Sequence, residues 1–220
     1  MHISRFVSTA VAFAALLCAA STAQAGIAVY TDQAAYLAAV GNTGVDTFDD
    51  LDLTDYTGPL NRSAGNFSYS ISTGPNSSTL WGATDDYSDF WLTGSNRLDM
   101  VSFTSATPVA GAGGFFFGSD LFGSSAQAAL IKLTAIDNEG TVFNYSSITP
   151  GLNSFVGFVS TGNLVSLTMA TGDQPGVWAT VNDLHLSAAA AAVPEPGTYS
   201  MLLGGLGLIG FMMRRKSGNT

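Results

Sequence analysis

The sequence predicts an all-β fold: an antiparallel β-sandwich of jelly-roll type with one short N-terminal helix, followed by a C-terminal transmembrane helix. Three observations predict it. Between residues 26 and 187, apolar and polar residues alternate at period two, the mark of strands with one buried face. Turn-forming clusters such as Thr73-Gly74-Pro75-Asn76 interrupt these runs at short intervals. A charge-free apolar segment, Tyr199–Met213, ends against Arg214-Arg215-Lys216.

In chain order, residues 1–25 have the pattern of a secretory signal. Arg5 supplies a positive start, Phe6–Ala20 a compact apolar run, and Ala23-Gln24-Ala25 an A-x-A cleavage site before Gly26. Cys18 is the only cysteine and would leave with the signal. That excludes thiol catalysis, iron–sulfur ligation and Cys-based zinc sites in the mature chain.

Residues 26–187 form the predicted sandwich. Thr31 or Asp32 can cap a helix over Gln33–Val40, with Tyr36, Leu37 and Val40 on its apolar face and Gly41 past its end. About ten strands follow. Phe67, Tyr69 and Ile71 share one face, as do Val101 and Phe103, Ile131, Leu133 and Ala135, and Val165, Leu167 and Met169. Leu130–Ile136 and Thr141–Tyr145 flank the turn Asp137-Asn138-Glu139-Gly140 as a hairpin. Gly111–Gly114 is expected as a loop entering a buried strand at Phe115–Phe117.

Residues 188–193 are an alanine-rich linker, and residues 194–220 a tail of three parts. Val193-Pro194-Glu195-Pro196 opens it, an apolar helix over about 199–213 follows, and Arg214, Arg215 and Lys216 close it. Fifteen helical residues span about 22 Å at ~1.5 Å each, short for a hydrocarbon core of ~30 Å. The basic cluster should stay cytoplasmic, leaving the domain outside. A plain type-I membrane anchor would have the same outline.

This order of parts resembles the PEP-CTERM sorting signal of exported proteins in Gram-negative-type bacteria. The resemblance implies an exosortase-like membrane protease as partner, a transient stop in the inner membrane, and cleavage near Pro194–Pro196. Delivery to the cell surface or extracellular matrix would follow, with exopolysaccharide as a candidate partner there.

The charges exclude one partner class. Residues 26–193 hold 15 acids against Arg62, Arg97 and Lys132, a formal −12. No nucleic acid is expected on such a surface.

Catalytic signals are sparse. His185 is the only histidine of the mature domain and is expected as a partly exposed strand residue. Glu139, its only glutamate, falls in a turn. Asp49, Asp50, Asp52 and Asp55 form one acidic cluster, and Asp85, Asp86 and Asp89 another. The bland reading is turn-forming aspartate; the sharper one is a structural calcium ion, for which no ligand is assigned. No cofactor and no catalytic residue are expected. Tyr87, Phe90, Trp91 and Trp81 lie near the second cluster and read either as core or as rings beside carboxylates that could face a sugar.

The resulting expectation is an exported, non-enzymatic structural or adhesive domain. The alternatives are a secreted hydrolase with paired aspartates and an uncleaved membrane-anchored binding protein.

Overall fold

The computed structural model describes residues 26–191 and 203–207. The segment 203–207 is helical, and the rest of the apolar stretch at about 199–213 lies outside the described residues. Among the described residues, no helix is long and apolar enough to cross a membrane.

The domain is antiparallel β throughout, with one helix. Strand β1 (Ile27–Tyr30) leads into α1 (Gln33–Ala39). Asp32 caps α1 by accepting the Ala35 N–H at 2.8 Å. The helix stops one residue short of the expected end, because Val40 opens β2 (Val40–Asp46). Tyr36 and Val40 are buried as expected, but Leu37 faces solvent. Seven residues make about two turns, and the helix buries Tyr36 alone.

The strands that follow are β3 (Asp55–Thr57), β4 (Leu60–Ala64), β5 (Phe67–Gly74), β6 (Thr79–Ala83) and β7 (Trp91–Gly94). Then come β8 (Met100–Ser119), β9 (Ser125–Ala126), β10 (Leu130–Asp137), β11 (Val142–Ile148), β12 (Phe155–Ala170) and β13 (Trp178–Ala189). The last strand thus runs two residues into the alanine stretch.

The architecture differs from two separate stacked sheets. The 13 described strands form one continuous hydrogen-bonded sheet, and three long strands carry it around the corner. Met100–Ser105 of β8 pairs with β5 on one edge and with Ser166–Met169 of β12 on the other. Beyond Pro108, Gly111–Phe115 pairs with Phe155–Val159 of β12 and with β13. Pro108 has no N–H to donate, and the register of β12 shifts between Val159 and Leu164, so both strands change layer here. The short-strand reading failed because each bend resembles a turn in sequence.

One shared core lies between the two layers. Ile71, Phe103, Leu133 and Met169 belong to one buried cluster with Leu80, Leu92, Phe116 and Val181. The period-two strands bury their predicted faces, with one exception. Val165 is exposed and Leu164 buried, because the irregularity between Leu164 and Ser166 flips the side-chain parity. The predicted hairpin pairs Ile136 with Val142, and Gly140 takes a φ of 82° in its turn.

Gly111–Gly114 belongs to β8 rather than to a loop. Its glycines serve close approach. A Cβ on Gly111 would lie 2.7 Å from the Tyr36 hydroxyl, and one on Gly157 would lie 2.4 Å from the Tyr36 ring. The bare backbone is the seat on which α1 docks.

Candidate functional site

The sorting residues Val193, Pro194, Glu195 and Pro196, the stop residues Arg214, Arg215 and Lys216, and the cleavage residues Ala23 and Ala25 all lie outside the described residues. The acidic clusters and the aromatic residues can be placed.

Carboxylates of both acidic clusters make hydrogen bonds to neighbouring segments. Asp85 is exposed and accepts the Ser125 N–H at 2.8 Å and the Ser125 hydroxyl at 2.6 Å. Asp86 closes its own turn through Ser88, whose hydrogen bonds hold its carboxyl below the usual range. Asp89 accepts from Asn182 Nδ2 at 2.9 and 3.0 Å. Asp49 accepts the Phe90 N–H at 3.1 Å. Both clusters therefore brace loops, each borrowing a donor from a neighbouring segment.

Asp49 and Asp89 also approach Asp183. Burial pushes the Asp183 carboxyl above its ordinary range; His185 opposes the rise, and Asp89 and Asp49 add to it. Among the described residues, no group of three or more His, Cys, Asp or Glu side chains has the geometry to hold a metal ion.

His185 is buried at 3% exposure, against the expectation of a partly exposed residue. Its strand pairs on both edges, with β2 and with β8. Its Nδ1 donates to the Asp183 carbonyl at 2.6 Å, and its Nε2 accepts from Gln33 Nε2 at 3.0 Å. Burial pushes the ring below its usual pKa, with Asp183 opposing. Both nitrogens are committed, and the ring packs edge-on against Tyr36 and Phe155.

Sequence reasoning missed the most heavily bonded carboxylate, Asp46. Buried at 5% exposure, it accepts from Arg62 Nε and Nη2 at 2.6 Å each, from the Tyr69 hydroxyl at 2.6 Å and from the Phe48 N–H at 3.1 Å. Arg62 also reaches Asp50 and lies 5.2 Å from the centroid of the Phe48 ring. Phe48 sits at a φ of 62°, a strained value for a bulky residue. This network clips the β2 end to β4 and β5.

The aromatic residues divide. Trp91 is core, its Nε1 donating to the Gly123 carbonyl at 2.9 Å and its ring edge-on to Phe117. Tyr87 is exposed. The informative relation comes from strand register. Ala83 pairs with Trp91, Trp81 with Thr93, and Thr93 with Thr180. Side chains two apart share a face, so Trp81, Trp91 and Trp178, all three tryptophans of the chain, stand on one face of the sheet, where Trp91 belongs to a small buried cluster separate from the shared core.

The loop at 120–124 covers Trp91 and leaves a cleft of about 360 Å³ beside it. Trp81, Thr93, Ser95, Trp178, Asp120 and Phe122 line this cleft. Trp178 Nε1 donates to the Ser95 carbonyl at 3.2 Å, which fixes its ring. Trp81 is 40% exposed and Phe122 85%. Asp120 Oδ1 accepts the Phe122 and Ser124 N–H groups. Its Oδ2 has no hydrogen-bond partner among the described residues.

Comparison with known proteins bears on the tail. Residues 192–216 match the PEP-CTERM protein-sorting motif. The motif marks a protein sorted to the cell surface by an exosortase, a membrane enzyme. No curated protein matches the chain. Two solved structures show weak likeness at 12% identity. One is the Agl-KA catalytic domain, with 71% of this chain covered, a TM-score of 0.34, and only 30% of that chain spanned. The other is the FeII form of HppE, with 63% of this chain and 64% of that chain covered and a TM-score of 0.20. Likeness at these scores carries no argument about fold or function.

Proposed function

We propose that this chain is an exported, non-enzymatic surface protein whose β domain serves a structural or adhesive role in the extracellular matrix, in contact with exopolysaccharide. The observation that carries the reading is the sorting motif at 192–216 behind an acidic all-β domain. In this reading the apolar segment and Arg214-Arg215-Lys216 halt the chain in the inner membrane. An exosortase-type protease then cuts near Pro194–Pro196, and the domain moves outward.

The domain's own chemistry supports a role without turnover. The buried carboxylates Asp46, Asp99 and Asp137 are each consumed by structural hydrogen bonds, and both nitrogens of the buried His185 are occupied. A glycoside hydrolase needs two carboxylates flanking the scissile bond, and among the residues lining the cleft beside Trp81 the one carboxylate is Asp120.

The test is the intact mass and location of the mature protein in its own host. The reading expects a surface or matrix form that begins at Gly26 and ends near Pro194–Pro196. A full-length form held in the inner membrane would overturn it.

A further inference from the structure

We propose that the cleft between Trp81 and Trp178 is a binding site for a neutral polysaccharide chain. The proposal rests on the reading of the domain as a surface binder and gives that binder a site and a ligand class.

The cleft's size, about 360 Å³, lies within the range of small-ligand sites. Its walls combine exposed rings with hydrogen-bonding edges. The C–H face of a pyranose is apolar and flat enough to stack on an indole, while its hydroxyls radiate from the rim and need partners. Trp81 supplies an accessible ring, and its Nε1 has no hydrogen-bond partner among the described residues. Asp120 supplies the free Oδ2, an acceptor suited to hydroxyl donors.

The competing ligand classes fit less well. A purely apolar ligand would cover the Asp120 carboxylate without a donor, a costly burial. An anionic chain would meet Asp120 inside a domain of formal charge −12.

One ring is also held in advance. Trp81 and Trp178 stand on strands, and the hydrogen bond to Ser95 fixes Trp178. That ring has little side-chain freedom left to lose on binding, which favours affinity. The face lies away from the shared core, and Trp81, 40% exposed, opens the cleft to solvent.

The test uses the full chain in a non-glycosidic detergent, run on native gels cast with mixed-linkage glucan, galactomannan or xylan. At least one of these should retard the wild type. Trp81→Ala should weaken retardation at least tenfold, Trp81→Phe should keep part of it, and Tyr87→Ala, outside the cleft, should leave it unchanged. If Trp81→Ala loses its melting transition, Phe122→Ser, at an 85% exposed position, decides in its place and should also weaken binding. No retardation by any of the three polymers, or retardation indifferent to both cleft variants, overturns the proposal. So does cleft-dependent binding confined to alginate or to an apolar peptide. Surface display is scored separately: display without glycan binding overturns the cleft alone, and glycan binding without display overturns the sorting reading alone.

Discussion

Asp46→Asn should be the most damaging single polar substitution in the domain. The Asp46 carboxylate accepts four hydrogen bonds, two of them from the Arg62 fork. An asparagine of the same shape replaces one oxygen by an NH2 group, which in either orientation faces an Arg62 N–H, donor against donor. Removing one partner of a buried ion pair costs about 3–5 kcal/mol. Arg62 keeps Asp50, which is 72% exposed and so a weak substitute, placing the loss near 3 kcal/mol. In a domain of this size each kcal/mol moves the melting temperature by roughly 2–4 °C, so the midpoint should fall by about 6–12 °C. Circular dichroism melts of the full chain in detergent would measure it. A double-mutant cycle adds a sharper test. Arg62→Met in the Asp46→Asn background should cost little more, or recover part of the loss, because no uncompensated charge remains. A single-variant shift under about 2 °C, or strictly additive losses, would refute the reasoning.

Three further outcomes are expected. Asp183→Asn should raise the melting temperature at pH 7. The folded-state pKa of Asp183 is raised, so its charged form destabilises the fold as pH rises through that value, and asparagine tolerates the φ of 49°; an unchanged or lower midpoint would contradict this. The depressed pKa of His185 means the unfolded chain binds its proton first, so stability should fall as pH drops below about 6.5 toward the folded value. His185→Gln should flatten that slope, and an equal slope in both proteins would place the acid sensitivity elsewhere. The purified chain should release no reducing ends from the polysaccharides it binds and should not hydrolyse ester substrates; turnover abolished in Asp85→Asn, Asp86→Asn or Asp89→Asn would establish the hydrolase reading instead.

Local signals in the sequence were legible and relational ones were not. The Asp32 cap, the Asp137–Gly140 turn and the buried faces of β5, β8 and β10 each depend on residues a few positions apart, which propensity and period reveal. The continuity of the sheet depends on where β8 and β12 bend, and Pro108 and Gly162 look like ordinary turn residues in sequence. The Leu164–Ser166 irregularity moved Val165 outward for the same reason: a bulge resets parity without any change in composition. Asp46 and Arg62 are 16 residues apart, and their pairing required the β2 end to meet β4. The shared face of Trp81 and Trp178 needed the register of three strands. The sorting tail was legible because its signal is linear: Pro194-Glu195-Pro196, the apolar segment and the basic cluster follow one another in order.

The central claim is that the tail is a processed sorting signal, and the direct measurement is the fate of a chain in which Pro194-Glu195-Pro196 is replaced by three alanines. Both proteins would be followed in the native host by fractionation and intact mass. The account predicts normal export, loss of release, and an uncleaved form of the variant accumulating in the inner membrane while the wild type reaches the surface. A variant processed and delivered like the wild type would contradict it.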